Sequence, residues 1–208
     1  MKGIIFDIDG TMLDTEKAVL YSLQRTLRDE GMNYSLEKLH FALGIPGMAA
    51  LQEIGVENMK AVHEKWIRNM ADFKNEITVF KGIAEVIEIV SSYKIRTGIV
   101  TSKTRQEFID DFQPFGLHSY FEHSICVEDT MKHKPNPEPL VACLKRLNID
   151  AQEAIYIGDS VYDLQCAKQA GAKFGLALWG AKTRKGFEEA DYIFQTPHEI
   201  LSLVKRDS

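Results

Sequence analysis

Gly3-Ile4-Ile5-Phe6-Asp7-Ile8-Asp9-Gly10-Thr11 is an apolar run that breaks into two aspartates one residue apart, with a glycine directly after them. Such a run reads as a strand that delivers two carboxylates to its own carboxyl end. A chain turning at Gly10 points Asp7 and Asp9 into one crevice. Two carboxylates at one edge repel each other unless a cation lies between them, and an all-oxygen ligand set favours magnesium. The same residues also suit an exposed turn closing an ordinary first strand.

Three later segments decide between those readings, each ending another short β-like run. Ile95 to Lys103 passes from apolar residues into Thr101 and Ser102. Their hydroxyls suit a phosphate oxygen, and equally the cap of a helix that buries Phe108, Ile109 and Phe112. In Lys132-His133-Lys134-Pro135-Asn136-Pro137-Glu138-Pro139, the spacing predicts a helix capped by Asn136 with Pro137 as its first residue. Lys134 then stands on a proline-braced loop, placed to meet a phosphate as a point charge, while Lys132 and His133 read as solvated bystanders. Finally, Ala154 to Gly158 breaks into Asp159-Ser160-Val161-Tyr162-Asp163. Asp163 falls one turn into the next helix, where an acidic side chain also favours the helix N-terminus.

In chain order these segments supply a carboxylate pair, a hydroxyl, a lysine and a further acidic pair, all at carboxyl ends of strands, where open parallel sheets bind ligands. The set resembles the haloacid dehalogenase superfamily of aspartyl phosphotransferases, in its Asp-x-Asp-Gly-Thr box at 7–11, Thr101 or Ser102, Lys134 and Gly-Asp-Ser-x-x-Asp at 158–163. The resemblance implies that Asp7 is the nucleophile and that Asp9 is the general acid and base. It implies Mg²⁺ bound by Asp7 and Asp159 and by the Asp9 backbone carbonyl, with Asp163, Gly10 and Thr11 in support. Phosphoryl oxygens would be held by Thr101, Ser102 and Lys134. Dehalogenases and phosphonate hydrolases of the superfamily lack the second aspartate, and its sugar phosphomutases tend to carry Asp-Gly-Val where this chain has Asp9-Gly10-Thr11. The implied activity is a phosphatase like the phosphoglycolate phosphatases. A phosphomutase, a pyrophosphatase and a phospho-acceptor regulatory domain are the alternatives.

The chain has 208 residues, 45% hydrophobic and 26% charged, which suits one full domain plus a small insertion. A formal charge of −5 with dispersed basic residues argues against nucleic acid as a partner. No apolar span suggests a membrane helix, and the first strand begins too early for a signal peptide. Cys126, Cys143 and Cys166 have no paired spacing and read as reduced thiols of a cytoplasmic protein, monomeric or homodimeric, whose partner is a small phosphorylated metabolite.

Between Asp14 and Thr78 the β-like pattern gives way to helical faces: Val19, Leu20, Leu23 and Leu27; Leu36, Leu39 and Leu43 after Ser35; and Met59, Val62, Trp66 and Met70. The expected architecture is a doubly wound α/β core of residues 1–14 and 79–208, with strands near 123–127, 154–158, 173–178 and 191–194. Residues 15–78 form a helical insertion that resembles the small cap of one subclass of the superfamily, and the resemblance implies hinges at Thr15 and Lys81-Gly82. Thr196-Pro197-His198-Glu199 reads as a capping box opening the last helix. The uncharged loop Gly44-Ile45-Pro46-Gly47-Met48 is the expected substrate-selecting surface, with Lys38 and His40 near enough to reach a carboxylate.

Overall fold

The structure, a computed structural model, describes residues 1–204, so residues 205–208 of the expected core lie outside the described residues. Its strands are β1 (Gly3–Phe6), β2 (Leu13–Asp14), β3 (Thr78–Val79), β4 (Arg96–Val100), β5 (His123–Ile125), β6 (Ala154–Gly158), β7 (Lys173–Ala177) and β8 (Tyr192–Phe194). Six of them form one sheet in the order β5-β4-β1-β6-β7-β8, with every neighbouring pair parallel. The chain steps from β1 to β4 and β5 on one side, then returns to β6 on the other. The reversal puts a crevice at the carboxyl end of β1. All four residues of β1 are buried, as a strand covered on both faces requires.

The helices are α1 (Glu16–Asp29), α2 (Leu36–Leu39), α3 (Gly47–Ile54), α4 (Met59–Met70), α5 (Ile83–Ser92), α6 (Arg105–Glu107), α7 (Glu138–Leu147), α8 (Val161–Ala170) and α9 (Leu178–Ala181). Alternation along β1 splits the core between the two faces of the sheet. Ile4 and Phe6 join Ile83, Val86, Ile87 and Val90 of α5, whereas Ile5 joins Leu140, Cys143, Leu144 and Leu147 of α7 and Leu164 of α8. This is the doubly wound α/β class.

α1 to α4 lie between β2 and β3 and bury a third cluster of their own, including Leu20, Leu23, Leu27, Leu51, Val62 and Trp66. Trp66 is held there by donating its indole N–H to Ser22 Oγ at 2.8 Å. Where the chain leaves and re-enters the sheet domain, β2 and β3 pair antiparallel, Leu13 with Val79 and Asp14 with Thr78.

Three helix starts differ from the sequence expectations. Thr104, not Thr101 or Ser102, caps α6, exchanging bonds with Glu107 in a capping box. After α6 the chain widens into a π-helical turn over Phe108–Phe112, which buries Phe108, Asp111 and Phe112 and leaves Ile109 41% exposed. Ile109 follows Phe108 round the turn and so leaves the buried face, which Asp111 enters instead. α7 starts at Glu138, with Pro137 at the cap position; Asn136 still serves the start, its Oδ1 accepting from Glu138 N–H at 3.0 Å. At 197–203 the helix is 3₁₀, and Thr196 makes no side-chain cap. Glu199 instead reaches back to accept from Gln195 N–H at 3.0 Å, with Thr196 extended.

Candidate active site

The carboxyl end of β1 is closed by a tight turn in which Thr11, Met12 and Leu13 all donate backbone N–H groups to Ile8 O, at 3.2, 2.8 and 2.9 Å. That turn throws Asp7 and Asp9 to the same edge of the sheet. Gly10 has φ of +75°, and a Cβ there would collide with the Asp159 carboxylate, so the sequence needs glycine at this point for two reasons. From α9, Trp179 donates its indole N–H to Thr11 O at 2.9 Å, and a Cβ on Gly180 would collide with the Gly10 carbonyl. Thr11 Oγ1 donates to Asp159 Oδ1 at 3.3 Å and so orients that carboxylate.

Asp7 is buried, facing the Lys134 ammonium across 3.0 Å, and Lys134 also donates to Asp163 Oδ1 at 2.8 Å. Tyr156 completes this group: its hydroxyl accepts from Lys134 at 3.3 Å and lies 3.0 Å from Asp163 Oδ1 and 2.9 Å from Val100 O. Asp163 Oδ2 accepts from Ser160 Oγ at 2.7 Å and from Ser160 N–H at 3.1 Å, closing the capping box of α8. Both Asp163 oxygens are thus engaged, and its support runs through Lys134 and Ser160. Burial pushes the Asp7 carboxyl up to about 7, with Asp163 and Asp9 adding to the shift and Lys134 opposing it. Burial, Asp163 and Asp7 likewise raise Asp159, whereas Lys134 stays charged because Asp163 and Asp7 outweigh its own burial.

A second buried lysine, which the sequence reading passes over, serves the other aspartate. Lys103 Nζ lies 3.1 Å from Asp9 Oδ1 and 3.4 Å from Asp111 Oδ2, with its side chain 8% exposed. Burial works against its charge, but Asp9 and Asp111 hold the ammonium above its ordinary value. Thr101 is buried beneath this pair, with its hydroxyl accepting from Lys103 N–H at 3.1 Å.

One ligand oxygen from each of Asp7, Asp159 and Asp163 falls within 4.8 Å of the others, and Asp7 Oδ1 is buried without an aligned hydrogen-bond donor. With all three ionised, these carboxylates against the one ammonium of Lys134 leave two negative charges. An all-oxygen set with that excess fits a hard divalent cation. Asp9 does not belong to this triplet: its side chain is turned to Lys103, so only its backbone carbonyl is left for the metal role expected of it.

Above this floor lies a cavity of about 370 Å³ between the sheet edge and the helical insertion. Asp7, Asp9, Asp159, Ser102 and Lys103 line its floor, while Lys134, Thr101 and Asp163 do not reach it. Gly44, Ile45 and Gly47 line the opposite side, but Pro46 and Met48 do not, and Met48 is 41% exposed. Lys38 and His40 are also absent from the lining; the cations there are Arg68, Lys74, Lys103 and Lys182. Ser102 Oγ donates to Gly44 O at 3.0 Å, so in this structure the hydroxyl expected at a phosphate bridges floor and roof.

A doubly wound sheet with paired aspartates at its central strand and a lysine-braced acidic cluster beside them defines a phosphoryl-transfer type of site. Residues 4–177 match the sequence model of the haloacid dehalogenase-like hydrolases, and the chain belongs to that family. It is 30% identical over 218 residues to a provisionally named pyrophosphatase PpaX of Clostridium perfringens, covering 99% of this chain and 98% of that one. It is 28% identical over 217 residues to the phosphorylated carbohydrates phosphatase of Thermotoga maritima, covering 99% of each. Among solved structures, a provisionally named phosphoglycolate phosphatase from Lactobacillus plantarum superimposes with a TM-score of 0.87 at 30% identity, over 97% of this chain and 98% of that one.

Proposed function

We propose that this chain is a Mg²⁺-dependent phosphatase that hydrolyses a small phosphate monoester through an aspartyl-phosphate on Asp7. The observation that carries the reading is the buried Asp7 at the end of β1, its Oδ1 3.0 Å from the Lys134 ammonium, set beside Asp159 and on the floor of the cavity. Asp7 attacks phosphorus as the bond to the leaving oxygen breaks, and Asp9 gives that oxygen a proton. Asp9 then takes a proton from water as the water oxygen attacks the phosphoenzyme, returning Asp7 as a carboxylate and releasing phosphate. Asp7 and Asp159 would hold the metal, with the Asp9 carbonyl. When bound, Mg²⁺ supplies the positive charge that lets an anionic carboxylate approach an anionic phosphate. Lys134 favours the ionised form of Asp7 and orients it, and Asp163 fixes Lys134.

Residues 15–78 act as a cap over this floor, hinged at Thr15 and Lys81-Gly82 beside the β2–β3 pairing, so that closure excludes bulk water while the phosphoryl group passes to Asp7. The three buried thiols support a reducing, cytoplasmic setting. Relatives named pyrophosphatase, 24 to 30% identical over nearly the whole chain, support inorganic pyrophosphate as the second reading of the substrate. The experiment is a panel of sugar phosphates, phosphoglycolate and pyrophosphate, with Mg²⁺ and with chelator. Turnover preserved in chelator would remove the metal, and turnover of pyrophosphate alone would replace the monoester reading by the second.

A further inference from the structure

Within the proposed reaction, Asp9 has two tasks: it must face the leaving oxygen in the first half and a water in the second. The carboxylate can do both only if its rotation is restricted. Asp9 Oδ1 is buried and faces Lys103 Nζ at 3.1 Å, while the side chain as a whole remains 22% exposed and lines the cavity. The Oδ2 side is therefore the one turned to substrate. Lys103 is fixed in turn. Its ammonium sits between Asp9 and Asp111 Oδ2, its backbone N–H is held by Thr101 Oγ1, and the other Asp111 oxygen lies 3.7 Å from Lys74 Nζ of the insertion.

Asp111 stands on the π-helical turn over Phe108–Phe112, in a helix whose neighbouring buried positions are phenylalanines. A carboxylate on an apolar face needs a partner, and a one-turn π bulge inside a helix is often a functional feature. Lys134 does the corresponding work for Asp7 but does not reach Asp9.

We propose that Lys103, braced by Asp111, is a positioning residue that locks the carboxylate of Asp9 in the orientation needed for proton transfer to the leaving group. The proposal rests on the reading of Asp9 as the general acid, and the test separates the two. The kcat/KM of wild type, Asp9→Asn, Lys103→Met, Lys103→Arg and Asp111→Asn is measured with Mg²⁺ on a series from nitrophenyl phosphates, whose leaving groups need little protonation, to alkyl phosphates, which need much.

Asp9→Asn is expected to lose about 10²- to 10⁴-fold on alkyl esters and far less on nitrophenyl esters. Lys103→Met is expected to follow the same trend, losing at least about tenfold more on alkyl than on nitrophenyl esters, with partial rescue in Lys103→Arg. Added to Asp9→Asn, Lys103→Met should cost alkyl esters nothing further, because it acts only through that carboxylate. Asp111→Asn retains Lys103 and folds with less disturbance; it should steepen the trend by about two- to tenfold, the worth of one hydrogen bond. A uniform loss across the series in Lys103→Met and Asp111→Asn, with Asp9→Asn still steep, overturns the positioning role. A flat response in Asp9→Asn itself overturns the underlying reading of Asp9. If Lys103→Met does not fold, the slope in Asp111→Asn decides alone.

Discussion

The floor of the cavity and the layer directly beneath it consist of charges taken out of water and held in place: Asp7 on the floor and Asp163 and Lys134 below it are each almost fully buried, and Lys103 nearly so. Its roof is different. Gly44, Ile45 and Gly47 carry no charge, and the cation contributed by α4, Arg68, is exposed and has no carboxylate partner among the described residues. A fixed floor can specify a reaction, because its geometry survives whichever ester is bound. A roof joined to it by the short β2–β3 pairing and by Ser102 is suited to varying what the reaction acts upon. Changes in the floor should therefore abolish chemistry for all substrates, and changes in the roof should rearrange preference among them.

The largest effect is expected for Asp7→Asn. Losing the attacking oxygen should remove the covalent intermediate and lower turnover by several orders of magnitude on every ester. Rapid acid quench with a ³²P-labelled ester should find label on wild-type protein and none on the variant. Near wild-type turnover would end the covalent mechanism.

Next is Lys134→Met, which leaves Asp7 and Asp163 buried without their cation. Breaking a buried ion pair from one side costs about 3–5 kcal/mol, which denaturant unfolding without metal should record. Activity should fall for all substrates together. Full stability in the variant would mean that the carboxylates already share protons well enough to dispense with Lys134.

The third test uses pH. Asp7 is raised to about 7 in the fold from an ordinary 3.8, so between those values the folded protein binds more protons than the unfolded chain. The stability this group contributes is fully present below about 3.8 and is lost as pH rises towards 7, on the order of a few kcal/mol at most. A cation bound by the ionised carboxylate should restore it. The rise in Tm produced by Mg²⁺ should therefore grow from pH 5 to pH 8 in the wild type, and grow much less in Asp7→Asn. An equal Mg²⁺ shift at both pH values would separate Asp7 from the metal.

The difference between floor and roof also explains what could be read from the sequence. Asp7, Asp9, Asp159 and Lys134 were legible because strand ends concentrate chemistry within a few residues of an apolar run, a local pattern. The same alternation of strands and helices carries the doubly wound class, whereas the order β5-β4-β1-β6-β7-β8 is set by pairings between distant segments. Lys103 directly follows Ser102 but carries no local signal, because an isolated lysine after a strand looks solvated until Asp111, eight residues on, shares its burial. Tyr156, inside an apolar strand, gave no polar signal, and nothing local to Trp179 and Gly180 marks them as neighbours of Thr11 and Gly10. In the roof, the sequence marks the five-residue loop but not its facing: α3 turns Gly47 inward and Met48 outward, a rotation of one residue that only packing settles.

That rotation makes Gly47 and Met48 a matched pair. A Cβ at Gly47 would come within 2.5 Å of His63 Nε2, which also lines the cavity. Gly47→Ser should displace His63 and change the ranking of esters by kcat/KM several-fold, or about 1 kcal/mol. Met48→Glu should leave the ranking unchanged. Equal effects from both would place specificity outside this loop.

The smallest effect is expected at Ser102, where two roles predict different measurements. A hydroxyl holding a phosphoryl oxygen would serve every phosphate alike, so Ser102→Ala would weaken product inhibition by inorganic phosphate as much as it weakens ester binding. In the structure that hydroxyl instead donates to Gly44 O at 3.0 Å, across the gap between floor and roof. One such bond is worth about 0.5–1.5 kcal/mol, roughly a two- to tenfold effect. If it holds the roof down, Ser102→Ala should raise KM for esters that touch the roof by that factor and leave the inhibition constant of inorganic phosphate, which needs only the floor, unchanged. A parallel rise in both constants would return Ser102 to the phosphate, and would mean that the Gly44 contact gives way when substrate enters.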